Sequence, residues 1–248
     1  MWEIMALAAF SQNTMPVPFG HASSAVVLSR YGGARPAAVL SVLATQEVTE
    51  GVAKVAVLLL AASVAPLPPW MRAGAGALAL AGGILALVLL GISRLSGGDL
   101  PVARGGGKRE IRARVAGAVR GFSRHLEVLR DGRRYLLAQT LLFCMKGAEA
   151  LGILCAQKAL GIDLPLWSLP VALGAVMLAS LVPFVPANLG TYEAGAFFLY
   201  RQLGVDSGAA MALALVQHMA LLVPFLVSGF WVLTKGLTRK ERERGNGV

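Results

Sequence analysis

The sequence predicts an all-α integral membrane protein with about four full spans and two re-entrant helical hairpins. The hairpins form an inverted repeat, and an amphipathic helix lies on the cytoplasmic face. Three observations lead there. Hydrophobic residues make up 56% of the 248 positions and mean hydropathy is +0.66, far from soluble composition. Proline and glycine break two apolar stretches, around Pro16–Gly20 and Pro183–Gly190, and broken backbone at membrane depth survives only inside protein or beside a wet cavity. Positive charge is gathered into two segments, which orients the chain.

Four units follow in order. Residues 1–93 form a first membrane repeat, 94–134 a basic loop, 135–235 a second membrane repeat and 236–248 a basic tail. Residues 1–31 are apolar but interrupted by Gln12, Asn13, Pro16, Pro18 and Gly20, too broken for a clean span. Residues 36–65 are long and apolar, carry Gln46, Glu47, Glu50 and Lys54 at mid-segment, and stop at Pro66, Pro68 and Pro69. Residues 71–93 read as a clean span, with Ala75, Ala79 and Gly83 as a helix-packing face. Within 94–134, Ile111, Val115, Val119, Phe122, Leu126 and Leu129 share one helical face, while Arg109, Arg112, Arg120 and Arg124 lie largely off it. Such a helix lies flat among headgroups; a solvated basic loop is the alternative. Residues 135–160 form a span containing Lys146 and Glu149. Residues 165–203 form a second broken unit, and 208–234 a last span holding Gln217 and His218.

The 94–134 loop holds eleven Lys/Arg and the C-terminal stretch from Lys235 onward five, so both belong on the cytoplasmic side of an inner membrane. Spans 135–160 and 208–234 supply the two crossings between them, so 165–203 enters and leaves from outside. Counting back, the 1–31 hairpin dips in from the cytoplasm. The net charge of +10 fits anionic lipid better than nucleic acid, because the cations flank apolar segments. The N-terminus shows no basic n-region or small-residue cleavage site. Cys144 and Cys155 fall about 16 Å apart along one helix, too far for a disulfide, and read as small core hydrophobes.

The two broken units resemble each other. Pro16-Val17-Pro18-Phe19-Gly20 aligns with Pro186-Ala187-Asn188-Leu189-Gly190 at an offset of 170, and Gln46 with Gln217 at 171. Like units of opposite orientation mark inverted-repeat transporters, whose sites lie near the midplane. The run Asn188-Leu189-Gly190-Thr191-Tyr192-Glu193-Ala194-Gly195, followed by Leu203-Gly204-Val205 and a polar-centred span, resembles the C-terminal signature of the lysylphosphatidylglycerol synthase transmembrane-region family, also called flippase-like. The strong resemblance covers about residues 183–233 and a weaker one Pro16–Leu60. It implies a bacterial inner-membrane protein whose relatives are linked to moving modified or glycosylated lipids between leaflets. Two departures stand out. Members carry more N-terminal helix than precedes Pro16, and the soluble aminoacyl-transferase domain of bifunctional members is missing.

An intramembrane carboxylate is a functional-site hypothesis by default. Glu193 either holds a proton or a headgroup group, or caps the free N–H groups of the turn. Asn188, Thr191 and Tyr192 shape that turn, with Tyr192 able to touch a headgroup. Pro16, Gly20, Pro186 and Gly190 are the hairpin turns. Glu50 with Lys54, and Lys146 with Glu149, have ion-pair spacing. Glu47 has no such partner in sequence and aligns with His218 across the repeat, so Gln46, Glu47, Gln217 and His218 are expected to approach the midplane from matching spans. A lone membrane histidine is otherwise a helix-packing donor. Arg201 ends the outer hairpin as an interface anchor or a phosphate ligand. Arg109, Arg112, Arg120 and Arg124 would meet headgroups.

Three scattered histidines show no metal-ligand spacing, and no GxSxG, P-loop or dinucleotide glycine pattern occurs. Neither a metal, a cofactor nor an enzyme activity is therefore expected. The leading expectation is a lipid flippase-like transporter with anionic or lipid-linked substrate. An ion-coupled small-solute transporter and a non-catalytic partner of a lipid-modifying synthase are alternatives, and a homo-oligomer remains open.

Overall fold

The computed structural model describes residues 2–33, 36–95, 132–182 and 185–245. The amphipathic segment, with Arg109, Arg112, Arg120 and Arg124, lies outside them, as do Pro183 and Phe184. Every regular element among the described residues is helical. In chain order they are α1 (Trp2–Thr14), α2 (Val17–Gly32), α3 (Pro36–Val64), α4 (Pro69–Leu95), α5 (Gly132–Ala159), α6 (Ser168–Ala179), a single 3-10 turn (Pro186–Asn188), α7 (Thr191–Gln202) and α8 (Ser207–Gly245).

The short helices come in two antiparallel pairs. α1 and α2 have 13 and 16 residues; α6 and α7 have 12 each. At 1.5 Å per residue these reach only about 18–24 Å, short of a bilayer core of about 30 Å. Pro16 ends α1 because it cannot continue the hydrogen-bond ladder, and its fixed φ then starts α2. Gly20 lets the two limbs close: a Cβ there would sit 3.0 Å from the Ser11 carbonyl. Ser24 seals the contact, donating to the Ala8 and Gly20 carbonyls at 3.0 and 2.8 Å. Small side chains with hydroxyls bonded to backbone are the usual glue between helices in lipid. Gly195 plays Gly20's part in the second pair, pressed against Ala175 and Ala179 of α6.

α6 is the centre of the molecule. Every residue from Val171 to Leu178 is buried, between α3, α4, α5 and α7. Gly174 admits Leu58 and Met71, and Leu178 packs on Gly74. The expected α4 face of Ala75, Ala79 and Gly83 needs correcting. Ala79 and Gly83 are exposed, and α4 packs instead through Met71, Gly74, Ala75 and Leu78, because only its first half reaches α6. Cys144 and Cys155 are free, as their spacing requires, but exposed where a core position was expected, because α5 buries only a narrow strip.

Among the described residues two helices, Tyr135–Ala159 and Ser207–Lys235, are long and apolar enough to cross a membrane, with mean hydropathies of 1.3 and 2.1. Their outward faces expose Leu136, Leu141, Val227 and Phe230. α8 passes through Pro224 and continues into the basic tail to Gly245, so the tail extends the last helix. Its Lys, Arg and Glu residues are good helix formers.

Candidate functional site

The second hairpin turns through left-handed backbone. Ala187, Asn188 and Gly190 have φ of 52°, 54° and 86°. Asparagine and glycine tolerate this region, whereas Ala187 is strained there. Gly190 ends the turn and α7 begins at Thr191, whose hydroxyl donates to the Asn188 carbonyl at 3.0 Å. Three residues into α7, Glu193 turns back. Its Oε2 accepts the Gly190 N–H at 2.6 Å, and its Oε1 lies 2.7 Å from His218 Nδ1 on α8. One oxygen caps the turn, the structural role weighed for this carboxylate, while the other holds the imidazole. The His218 side chain is 1% exposed and that of Glu193 10%.

Tyr192 covers the pair. Its ring stacks on the imidazole at 4.2 Å between centroids and 10° between planes, and Tyr192 itself is buried. Beside it, Tyr200 donates to Gln217 Oε1 at 2.7 Å, which is how Gln217 is held. Lys146 Nζ and Glu149 Oε2 lie 2.7 Å apart and half-buried on α5, which packs against α8. Three elements thus converge on one buried polar cluster: the hairpin turn, α7 and α8. Asn188 Oδ1 is buried with no partner among the described residues.

The other expected residues form a second group on α2 and α3. Glu50 and Lys54 are 3.3 Å apart, one turn along α3. Gln46 is half-buried beside them. Glu47 is paired after all: His21 Nε2 on α2 lies 3.1 Å from its Oε1. That partner is 26 residues away and comes into reach only when the first hairpin folds against α3. The expectation that Gly20 is a hairpin turn needs correcting: the chain turns at Met15-Pro16, and Gly20 lies inside α2 against Ser11 and Gln12, with His21 next to it. No hydrogen bond or ion pair joins Glu47 to His218 among the described residues, so each pairs within its own half. The halves do touch, since α1 packs against the 3-10 turn. Arg201 lies at the far end of α7, where Nη1 donates to the Val205 carbonyl at 2.7 Å and closes the helix end.

Between α1 and α8 an apolar groove of about 820 Å³ opens sideways, lined by Phe10, Leu226, Val227, Phe230, Trp231 and Thr234. The Phe10 ring sits directly on Gly229, and Trp2 meets Trp231 edge-on at 5.8 Å. No group of three His, Cys, Asp or Glu able to hold a metal occurs among the described residues.

The family model described as the lysylphosphatidylglycerol synthase TM region matches residues 2–229. No curated protein matches the chain, and neither does any solved structure.

Proposed function

The chain belongs to the lysylphosphatidylglycerol synthase transmembrane-region family, which makes it a membrane protein of lipid metabolism or transport; from that premise we propose that it moves a lipid or lipid-linked headgroup between the leaflets of the inner membrane. The observation that carries this reading is the Glu193–His218 pair, buried at a broken hairpin instead of at a water-facing surface. A chain under no functional demand would fill that position with apolar side chains, because placing ionisable groups at membrane depth is expensive.

Depth supports the same reading. Glu50 stands at the middle of α3, Lys146 and Glu149 near the middle of α5, and His218 near the middle of the apolar part of α8. The limbs of the two hairpins are too short to span, and each hairpin turns at a proline, Pro16 or Pro186, so both are read as re-entrant, in opposite orientations. A headgroup would pass the polar cluster while its acyl or polyprenyl chain stays in apolar surroundings such as the α1–α8 groove. The basic loop and tail lie in the cytoplasm in this reading and gather anionic lipid there. The protein acts as a transporter and not as an enzyme, alone, as an oligomer or beside a lipid synthase.

The test is reconstitution of the full chain into vesicles carrying a fluorescent lipid in one leaflet. Movement of the label to the other leaflet above that in protein-free vesicles supports the reading. Movement of small solutes with no lipid exchange would overturn it in favour of an ion-coupled solute transporter.

A further inference from the structure

The structure places an imidazole against a carboxylate in each half, with the two groups exchanged. In the second half the acid, Glu193, is on the hairpin limb α7 and the imidazole, His218, on the long helix α8, 25 residues later. In the first half the imidazole, His21, is on the hairpin limb α2 and the acid, Glu47, on the long helix α3, 26 residues later. Both hairpin members sit near the start of the second limb, His21 in the second turn of α2 and Glu193 in the first turn of α7. The long-helix members both follow a glutamine, Gln46 and Gln217.

The remaining midspan charges do not share this chemistry. Glu50 with Lys54 and Lys146 with Glu149 are carboxylate–ammonium pairs, neutral as they stand. Taking up a proton would leave a lysine unbalanced. An imidazole–carboxylate pair is different, because one proton converts it from a single negative charge to a neutral ion pair without breaking the contact. Among the described midspan groups, these two pairs are where charge can change by a proton with the geometry kept.

The pairs also differ in access. His218 and Glu193 are 1% and 10% exposed, while His21 and Glu47 are 28% and 51% exposed. We propose that His21–Glu47 is a second proton-exchange site, the counterpart in the first hairpin of Glu193–His218, open in this conformation while the other is closed. The pairing of the two sites rests on the two-hairpin transport reading; the assignment of His21 to Glu47 does not. A proton would enter at the exposed pair and leave when the halves exchange accessibility, coupling lipid movement to a proton gradient.

The surroundings of each imidazole are simple. Facing His21 are Glu47, and further along α3 Glu50 and Lys54; the end of α1 beside it carries Gln12, Asn13 and Thr14, with Glu3 at its other end. Facing His218 are Glu193, Tyr192 and Tyr200 of α7 and, beyond Tyr192, Lys146 and Glu149 of α5.

Nitrogen-15 NMR of histidine-labelled full chain in lipid nanodiscs tests this, with His125→Gln removing the third histidine. His21 should be hydrogen-bonded through Nε2 and respond to Glu47→Gln but not to Glu193→Gln. His218 should be bonded through Nδ1 and respond the opposite way, which also shows that each variant is folded. Exchange of the ring N–H with deuterium should be at least about tenfold faster at His21. A His21 signal indifferent to Glu47→Gln, or equal exchange at both rings, would overturn the proposal. If wild type moves no lipid but the NMR pattern holds, the transport reading falls and the proton site stands.

Discussion

Glu193→Ala removes two hydrogen bonds at once, 2.6 Å to the Gly190 N–H and 2.7 Å to His218. Each buried polar group left without its partner costs about 1–3 kcal/mol. The total should be about 3–5 kcal/mol, the usual penalty for removing one member of a buried pair. His218→Ala loses the same contact, the stacking on Tyr192 and a ring's worth of packing, and should cost a similar amount. The double variant loses the shared contact only once, so its cost should fall short of the sum of the single costs by about 1–3 kcal/mol. Reversible unfolding in mixed micelles, titrated with a denaturing detergent, measures all four species under one condition. Glu193→Gln keeps an acceptor for the Gly190 N–H and should cost less, about 1–2 kcal/mol. Additivity of the two alanine variants to within about 0.5 kcal/mol would refute the pairing, and with it the argument that this contact holds the hairpin to α8.

Three further outcomes are expected. Ala187→Gly should stabilise the protein by about 1 kcal/mol in the same assay, since Ala187 occupies left-handed backbone that glycine adopts freely. Asp206, just before α8, has its carboxyl held below the ordinary value of 3.8 by the backbone N–H groups of Gly208 and Ser207. Its contribution should be present above that ordinary value and lost as pH falls through the lower folded value, and Asp206→Asn should flatten this part of the stability profile. Asp163→Cys, on a background with Cys144 and Cys155 replaced by serine, should label from outside the cell. A cysteine at Ser123 should label only after permeabilisation, and the reverse pattern would invert the orientation.

Much of the architecture is legible in the chain because proline and glycine act locally. Pro16 marks where α1 gives way to α2, and Pro186 and Gly190 mark the turn before α7, without reference to distant residues. Glu193 stands out for the same reason, as a carboxylate beside a break in an apolar run. Pairings across the fold are another matter. His21 looks unremarkable until α2 packs on α3, and Gln217 gains its partner only when Tyr200 arrives from α7. Lipid-facing and protein-facing sides are equally hard to separate by pattern, since both are apolar. Ala79, Gly83 and the two cysteines fit a buried face by composition yet lie outside it. In lipid the hydrophobic stripe that identifies the inner face of a soluble helix carries little of that information.

The most direct test of the central claim is lipid flux in vesicles for three proteins: wild type, Glu193→Gln, and Met71→Ala as a control. Met71 is buried in the core, and its truncation costs stability without touching the Glu193 cluster. Glu193→Gln should lower the rate at least about tenfold, equivalent to about 1.4 kcal/mol in the barrier, while the control retains most of its rate. Equal flux through wild type and Glu193→Gln would contradict the account and leave Glu193 as a cap on the turn that Pro186 and Gly190 create.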